Sequence, residues 1–136
     1  MSISINYTTV IIATIASFTF GFLWYGPIFG RKWSGMMGMN REEMSQRNMV
    51  APIIVSLVVA FLMAIVLDLA IIFSNFYLGR SGVGAALAIG LFVWIGFIVP
   101  VTIRRILWEK QSVTLWLFNE TYNLLVLFVL GFILTM

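Results

Sequence analysis

The sequence predicts an all-α membrane protein: four membrane-spanning helices over about residues 5–25, 50–73, 82–103 and 113–134, making one domain across residues 1–136. Three observations carry that prediction. Of 136 residues, 62% are hydrophobic and 10% charged, with a mean hydropathy of +1.07, so the chain lacks the charged surface a water-soluble domain needs. Its apolar residues fall into runs long enough to cross a hydrocarbon core of roughly 30 Å at about 1.5 Å per residue. The eight Lys and Arg lie almost wholly between those runs, as topology signals do.

Composition also excludes whole classes of function. A net charge of +3 and a pI near 9.7 could suit a nucleic-acid binder, but no basic stripe with interleaved aromatics exists to read one. Cysteine and histidine are both absent, which removes disulfides, thiolate nucleophiles, Cys/His zinc sites and His- or Cys-ligated haem. It also removes the side chain most used for proton transfer at neutral pH. Gly-rich phosphate motifs and Gly-x-Ser-x-Gly elbows are missing as well. The expectation is a protein that is not an enzyme and carries neither cofactor nor metal.

The first run, Ile5 to Tyr25, has no basic residue before it and is too long for a signal-peptide core. Ala13, Ser17 and Gly21 recur every four residues and give one small face for close helix packing. Gly26-Pro27 is expected to end the helix, because Pro removes a backbone donor and biases the preceding residue away from α geometry. Trp24 and Tyr25 then fall where an interfacial aromatic belt belongs. The following loop holds Arg31, Lys32, Trp33, Arg41 and Arg47, and Asn40 with Glu43 forms a plausible cap pair for a short interfacial helix over about 41–48. Met36, Met37, Met39, Met44 and Met49 crowd this loop. Thioethers could hold Cu(I). Without a regular Met array or a His or Cys helper, the better reading is flexible apolar cover at the bilayer surface.

In the second run Ser56, Ala60, Ala64 and Asp68 stand at successive i+4 positions, so the acid extends a small packing face and points into the bundle. A mid-membrane Asp costs about 2.5–3.5 kcal/mol on insertion scales, and less near an end. Asp68 lies about 9 Å inside the Ser74 end at 1.5 Å per residue, within reach of Arg80, Thr8 or Thr9. A satisfied structural contact is at least as good a reading of it as a transport role. The third run follows a tight connection, Ser74 to Ser81. Gly82, Ala86 and Gly90 continue the small-residue habit, Trp94 is read with Trp24, Tyr25, Trp33 and Trp108 as an interfacial aromatic, and Pro100 is expected to loosen the run's last turns. A short basic turn with Arg104, Arg105, Trp108, Glu109 and Lys110 leads into the fourth run, where Trp116, Asn119, Glu120 and Asn123 share one face. An acid and two amides inside a lipid-length segment are costly unless they face protein or water, which makes them the leading candidate site.

Arg31, Lys32, Arg41 and Arg47 in one loop, and Arg104, Arg105 and Lys110 in another, stand against Arg80 alone on the opposite side. The positive-inside rule therefore puts both basic loops in the cytoplasm and both termini outside. Gly21, Trp24, Gly26 and Pro27, with Arg31-Lys32 and Trp33, also echo Gly90, Trp94, Gly96 and Pro100, with Arg104-Arg105 and Trp108. A parallel two-hairpin repeat is one explanation. Residues of these types are common at this depth, so coincidence is the preferred one.

The stretch around Tyr25, Pro27, Phe29-Gly30 and Trp33, followed by Glu42-Glu43, resembles the opening block of the DUF1761 family of small bacterial membrane proteins. Trp94, Gly96-Phe97, Pro100, Trp108-Glu109 and Tyr122 resemble its second half, so the resemblance covers nearly the whole chain. It implies four membrane-spanning helices and residence in a bacterial inner membrane, and it supplies no activity. In the family pattern the stretch before Tyr122 is usually apolar or small. Asn119-Glu120 departs from it.

Two functional readings follow. In the first, the chain is a homo-oligomeric ion or small-solute transport or channel module. Glu120 is its binding carboxylate, Asn119 and Asn123 are neutral ligands, and Arg104 and Arg105 tune the acid. In the alternative it is a non-catalytic structural or accessory subunit of a membrane complex, with Glu120 ion-paired to Arg104 or Arg105 and the amides bridging helices. Its partners are then membrane lipid and either further copies of itself or a membrane-complex partner, and no nucleic acid. Asp68 and Glu120 lie near opposite membrane faces and cannot form a dyad. A polar cavity reaching Glu120 would favour transport, and a dry pair between Glu120 and Arg104 or Arg105 the structural role.

Overall fold

The computed structural model describes residues 5–38, 50–79 and 81–136. The expected interfacial helix at 41–48 and Arg80 lie outside them. Among the described residues four helical spans are long and apolar enough to cross a membrane: Tyr7–Ile28, Val50–Leu78, Gly82–Trp108 and Val113–Leu134. The first and third are composite, and their breaks shape the molecule.

Helix α1 (Tyr7–Leu23) opens on Asn6, whose side chain accepts from the Thr9 amide at 3.3 Å and so satisfies one of the first turn's free donors. It does not stop at Gly26-Pro27. Trp24–Ile28 winds as a π turn, closed by the Phe29 amide donating to the Trp24 carbonyl at 3.1 Å, and α2 (Gly30–Met37) follows. Pro27 has no backbone N–H in any register, yet the chain turns helically through this residue that sequence reasoning treats as a stop. Gly38, at φ 69°, ends α2 in the left-handed conformation that suits glycine.

Helix α3 (Val50–Leu78) runs past residue 73 to Leu78. The connection to the next helix is correspondingly shorter than Ser74–Ser81, with Gly79 and Gly82 at φ 64° and 86° bracketing it. Helix α4 (Gly82–Val93) gives way to a second π turn, Trp94–Ile98, then to α5 (Val99–Thr102) and α6 (Arg104–Trp108). The break expected at Pro100 therefore lies before it, and the basic turn is itself helical. Lys110 at φ 53° and the Gln111 amide on the Arg105 carbonyl (3.0 Å) close α6. Helix α7 (Val113–Leu134) starts on Ser112, whose hydroxyl accepts from the Leu115 amide at 3.1 Å.

The echo noted in the sequence coincides with a shared local geometry. Trp24 and Trp94, Gly26 and Gly96, and Ile28 and Ile98 hold matching positions in two five-residue π turns, each leading into short basic helices.

Helix α1 packs against α3 and α7, while α4 lies along α7 and more lightly on α3. The core is built from Val10, Ala13, Ala64, Leu67, Ile71, Ala86, Val126, Leu127 and Leu130. Many other large apolar side chains face outward, among them Ile11, Phe22, Val58, Leu62, Val66, Phe92, Phe97 and Leu117. Alanines at Ala13, Ala64 and Ala86 let the helices approach closely, while an apolar exterior suits a solvent as apolar as the side chains. A Cβ at Gly131 would lie 3.2 Å from that of Ala86, and one at Gly21 would meet the Tyr122 hydroxyl.

Candidate functional site

Both π turns dock on one stretch of α7, residues 116–123. Widening the helix at Trp24 turns Trp24 and Tyr25 toward this stretch. Tyr25 donates its hydroxyl to Asn119 Oδ1 at 2.7 Å and meets the Tyr122 ring edge-on, with centroids 4.9 Å apart. Trp24 lies tilted against Phe20, Phe29, Phe118 and Tyr122, and Trp33 of α2 meets Tyr25 edge-on at 5.1 Å. From the other side Trp94 of the second π turn donates its indole N–H to the main-chain carbonyl of Glu120 at 3.0 Å. Further toward the basic end Trp116 donates to Thr102 Oγ1 at 3.1 Å, and that hydroxyl donates to the Ile98 carbonyl at 2.9 Å.

Glu120 sits inside this clamp and is 2% exposed. Its Oε1 accepts from Asn123 Nδ2 at 3.4 Å, and its Oε2 is buried with no partner among the described residues. The indole N–H of Trp24 is a second buried group without one. Arg104 and Arg105 do not reach the acid: both are exposed on α6, and no ion pair joins them to Glu120 among the described residues. The Glu120–arginine ion pair of the structural reading is therefore not formed among the described residues. Pro27 and Pro100 are exposed at the two breaks, and Trp108 is 84% exposed at the end of α6.

Asp68 lies apart, at the end of the bundle that holds both termini. There a cavity of about 280 Å³ is lined by Asn6, Thr9, Asp68, Asn75, Gly82 and Thr135, with Ile71, Ile72 and Leu134 behind them. Asp68 is 9% exposed and makes no hydrogen bond or ion pair among the described residues. A second hollow, of about 390 Å³, runs between α3 and α4 where these helices pack lightly. Its lining is aliphatic (Leu62, Met63, Val66, Val93, Ile98 and Leu127 among others), which suits a lipid chain and no polar solute. Glu120 lines neither space.

Sequence reasoning brought Asn119, Glu120 and Asn123 together correctly as one helix face, but it read Tyr25 and Trp94 only as interfacial aromatics. Their polar atoms are what tie the breaks to α7, and nothing local announces a bond between residues so distant in the chain. Of the cavity residues, Thr9 and Asp68 were legible. Asn75 could have been found as well, since it stands two turns from Asp68 on the same helix face.

A family model described as a protein of unknown function, DUF1761, matches residues 8–135. No curated protein matches the chain, and no solved structure does.

Proposed function

Because the chain belongs to the DUF1761 family, whose function is unknown, its role must be argued from its own residues, and we propose that it is a non-catalytic structural or accessory component of a bacterial inner membrane. In this reading the Glu120 cluster fixes helix register and is no part of a solute path. The carrying observation is the enclosure of Glu120: it is 2% exposed, lines neither cavity and forms no ion pair with an arginine among the described residues. A binding carboxylate must exchange its ligand with water, and this one is buried, with Asn123 on its Oε1 and Trp94 holding the main-chain carbonyl of the same residue. The lack of His and Cys, and the placement of Asp68 and Glu120 at different ends of the bundle, support a role outside catalysis. The charge asymmetry of the loops supports an orientation with both termini outside.

The test compares wild type and Glu120→Gln in proteoliposomes loaded with a pH-sensitive dye, under proton and alkali-cation gradients. An unchanged leak together with an unchanged melting temperature is expected. Abolished flux with the fold intact would overturn the structural reading in favour of transport through Glu120.

A second reading, transport by an assembly of several copies, draws support from one observation. The polar cavity at the terminal end is open to solutes and holds an acid. In that reading the binding residue is Asp68 and not Glu120.

A further inference from the structure

The cavity that the two termini share has the chemistry of a cation site. Its lining supplies one carboxylate, the amides of Asn6 and Asn75, and the hydroxyls of Thr9 and Thr135. These donors are oxygen-rich, hard and uncharged apart from Asp68, and no second acid or any His or Cys joins them. Asp68 is 9% exposed, borders the cavity and has no hydrogen-bond or ion-pair partner among the described residues. Its carboxylate oxygens are therefore left to whatever occupies that open cavity. The four helix ends nearby do not decide the sign. The N-termini of α1 and α4 and the C-termini of α3 and α7 meet here, so their dipoles largely offset. That leaves a single formal negative charge in a pocket of about 280 Å³ with neutral oxygen donors around it.

We propose that this cavity binds a small monovalent cation, an alkali ion or a primary ammonium group, with Asp68 as the charged ligand and Asn6, Thr9, Asn75 and Thr135 as neutral donors. A divalent ion would keep a net positive charge against one carboxylate, which is why the site suits a single charge. The volume exceeds that of a bare ion, so the ligand carries water or a short alkyl stem. Ile71, Ile72 and Leu134 provide an apolar wall for the latter. The inference holds whether the Glu120 cluster is structural or not.

The test is the melting temperature of the full chain in detergent, titrated with sodium, potassium or methylammonium chloride. N-methylglucamine replaces the varied cation, so ionic strength stays constant. A ligand that binds only the folded state raises the melting temperature with concentration. A saturable rise is expected for at least one of the three, and the one that acts separates an alkali ion from an ammonium ligand. Asp68→Asn should abolish the rise, while Glu120→Gln should leave it intact. Asn75→Ala should raise the half-maximal concentration by about tenfold, the loss of one neutral oxygen ligand to a charged group. It also serves as the variant if Asp68→Asn does not fold. A wild-type melting temperature indifferent to all three cations, or responsive to pH alone, would overturn the proposal. So would a rise that persists unchanged in Asp68→Asn, or in Asn75→Ala where that is the variant in hand.

Discussion

Glu120 and its neighbours show how much a single buried polar residue depends on what surrounds it. One carboxylate oxygen is held by Asn123 and the other has no partner among the described residues; an unmade bond of that kind costs about 1–3 kcal/mol. Exchanging Glu120 for Gln keeps the shape, so thermal unfolding in micelles should move by less than about 1 kcal/mol. Glu120→Lys buries a longer side chain with no acid beside it and should cost about 3–5 kcal/mol, read as loss of folded protein in the same assay. Tyr25→Phe removes the donor to Asn119 and leaves the ring in place. Interhelical bonds in membranes average about 0.6 kcal/mol and reach about 1.7, so a loss near 1 kcal/mol is expected from the same unfolding curves. At this scale the sequence revealed which residues of α7 share a face, because helical spacing is local. It could not reveal that Tyr25 and Trp94 close over them, because that depends on two other helices arriving at the same depth.

Helices here meet through small residues, and the consequence can be checked glycine by glycine. Gly131 faces Ala86 so closely that a valine should push α4 and α7 apart, at about 1–3 kcal/mol of stability by thermal unfolding. Gly84 and Gly96 have open space where a Cβ would go, and alanine at either should be tolerated in the same measurement. The helical spans were legible because length and hydropathy suffice to mark them. Their ends were less so. Proline reads as a terminator when the only register considered is the α register. Trp24–Ile28 escapes that logic by making the wider turn, and the matching segment at Trp94–Ile98 shows that the wider turn does not need a proline inside it.

At the scale of the molecule the proposed orientation has a direct test, because the chain has no native cysteine to confuse labelling. A cysteine at Ser81 should react with a membrane-impermeant maleimide on intact cells, and one at Lys110 only after permeabilisation. The reverse pattern would invert the topology. The overall four-span plan came from composition and run length. The cavity at the terminal end did not, since it exists only where the ends of α1, α3, α4 and α7 converge. The π turns have a last consequence, best expressed in angle. Each residue of an α-helix advances the side-chain direction by about 100°, so one extra residue per turn resets the phase of everything beyond it. The packing stripe before Trp24 and the aromatic and basic face after it need not share one azimuth, and the same holds around Trp94. A single-residue deletion in either turn would swing the following segment by that angle, as a key cut one notch out of step misses every pin behind it.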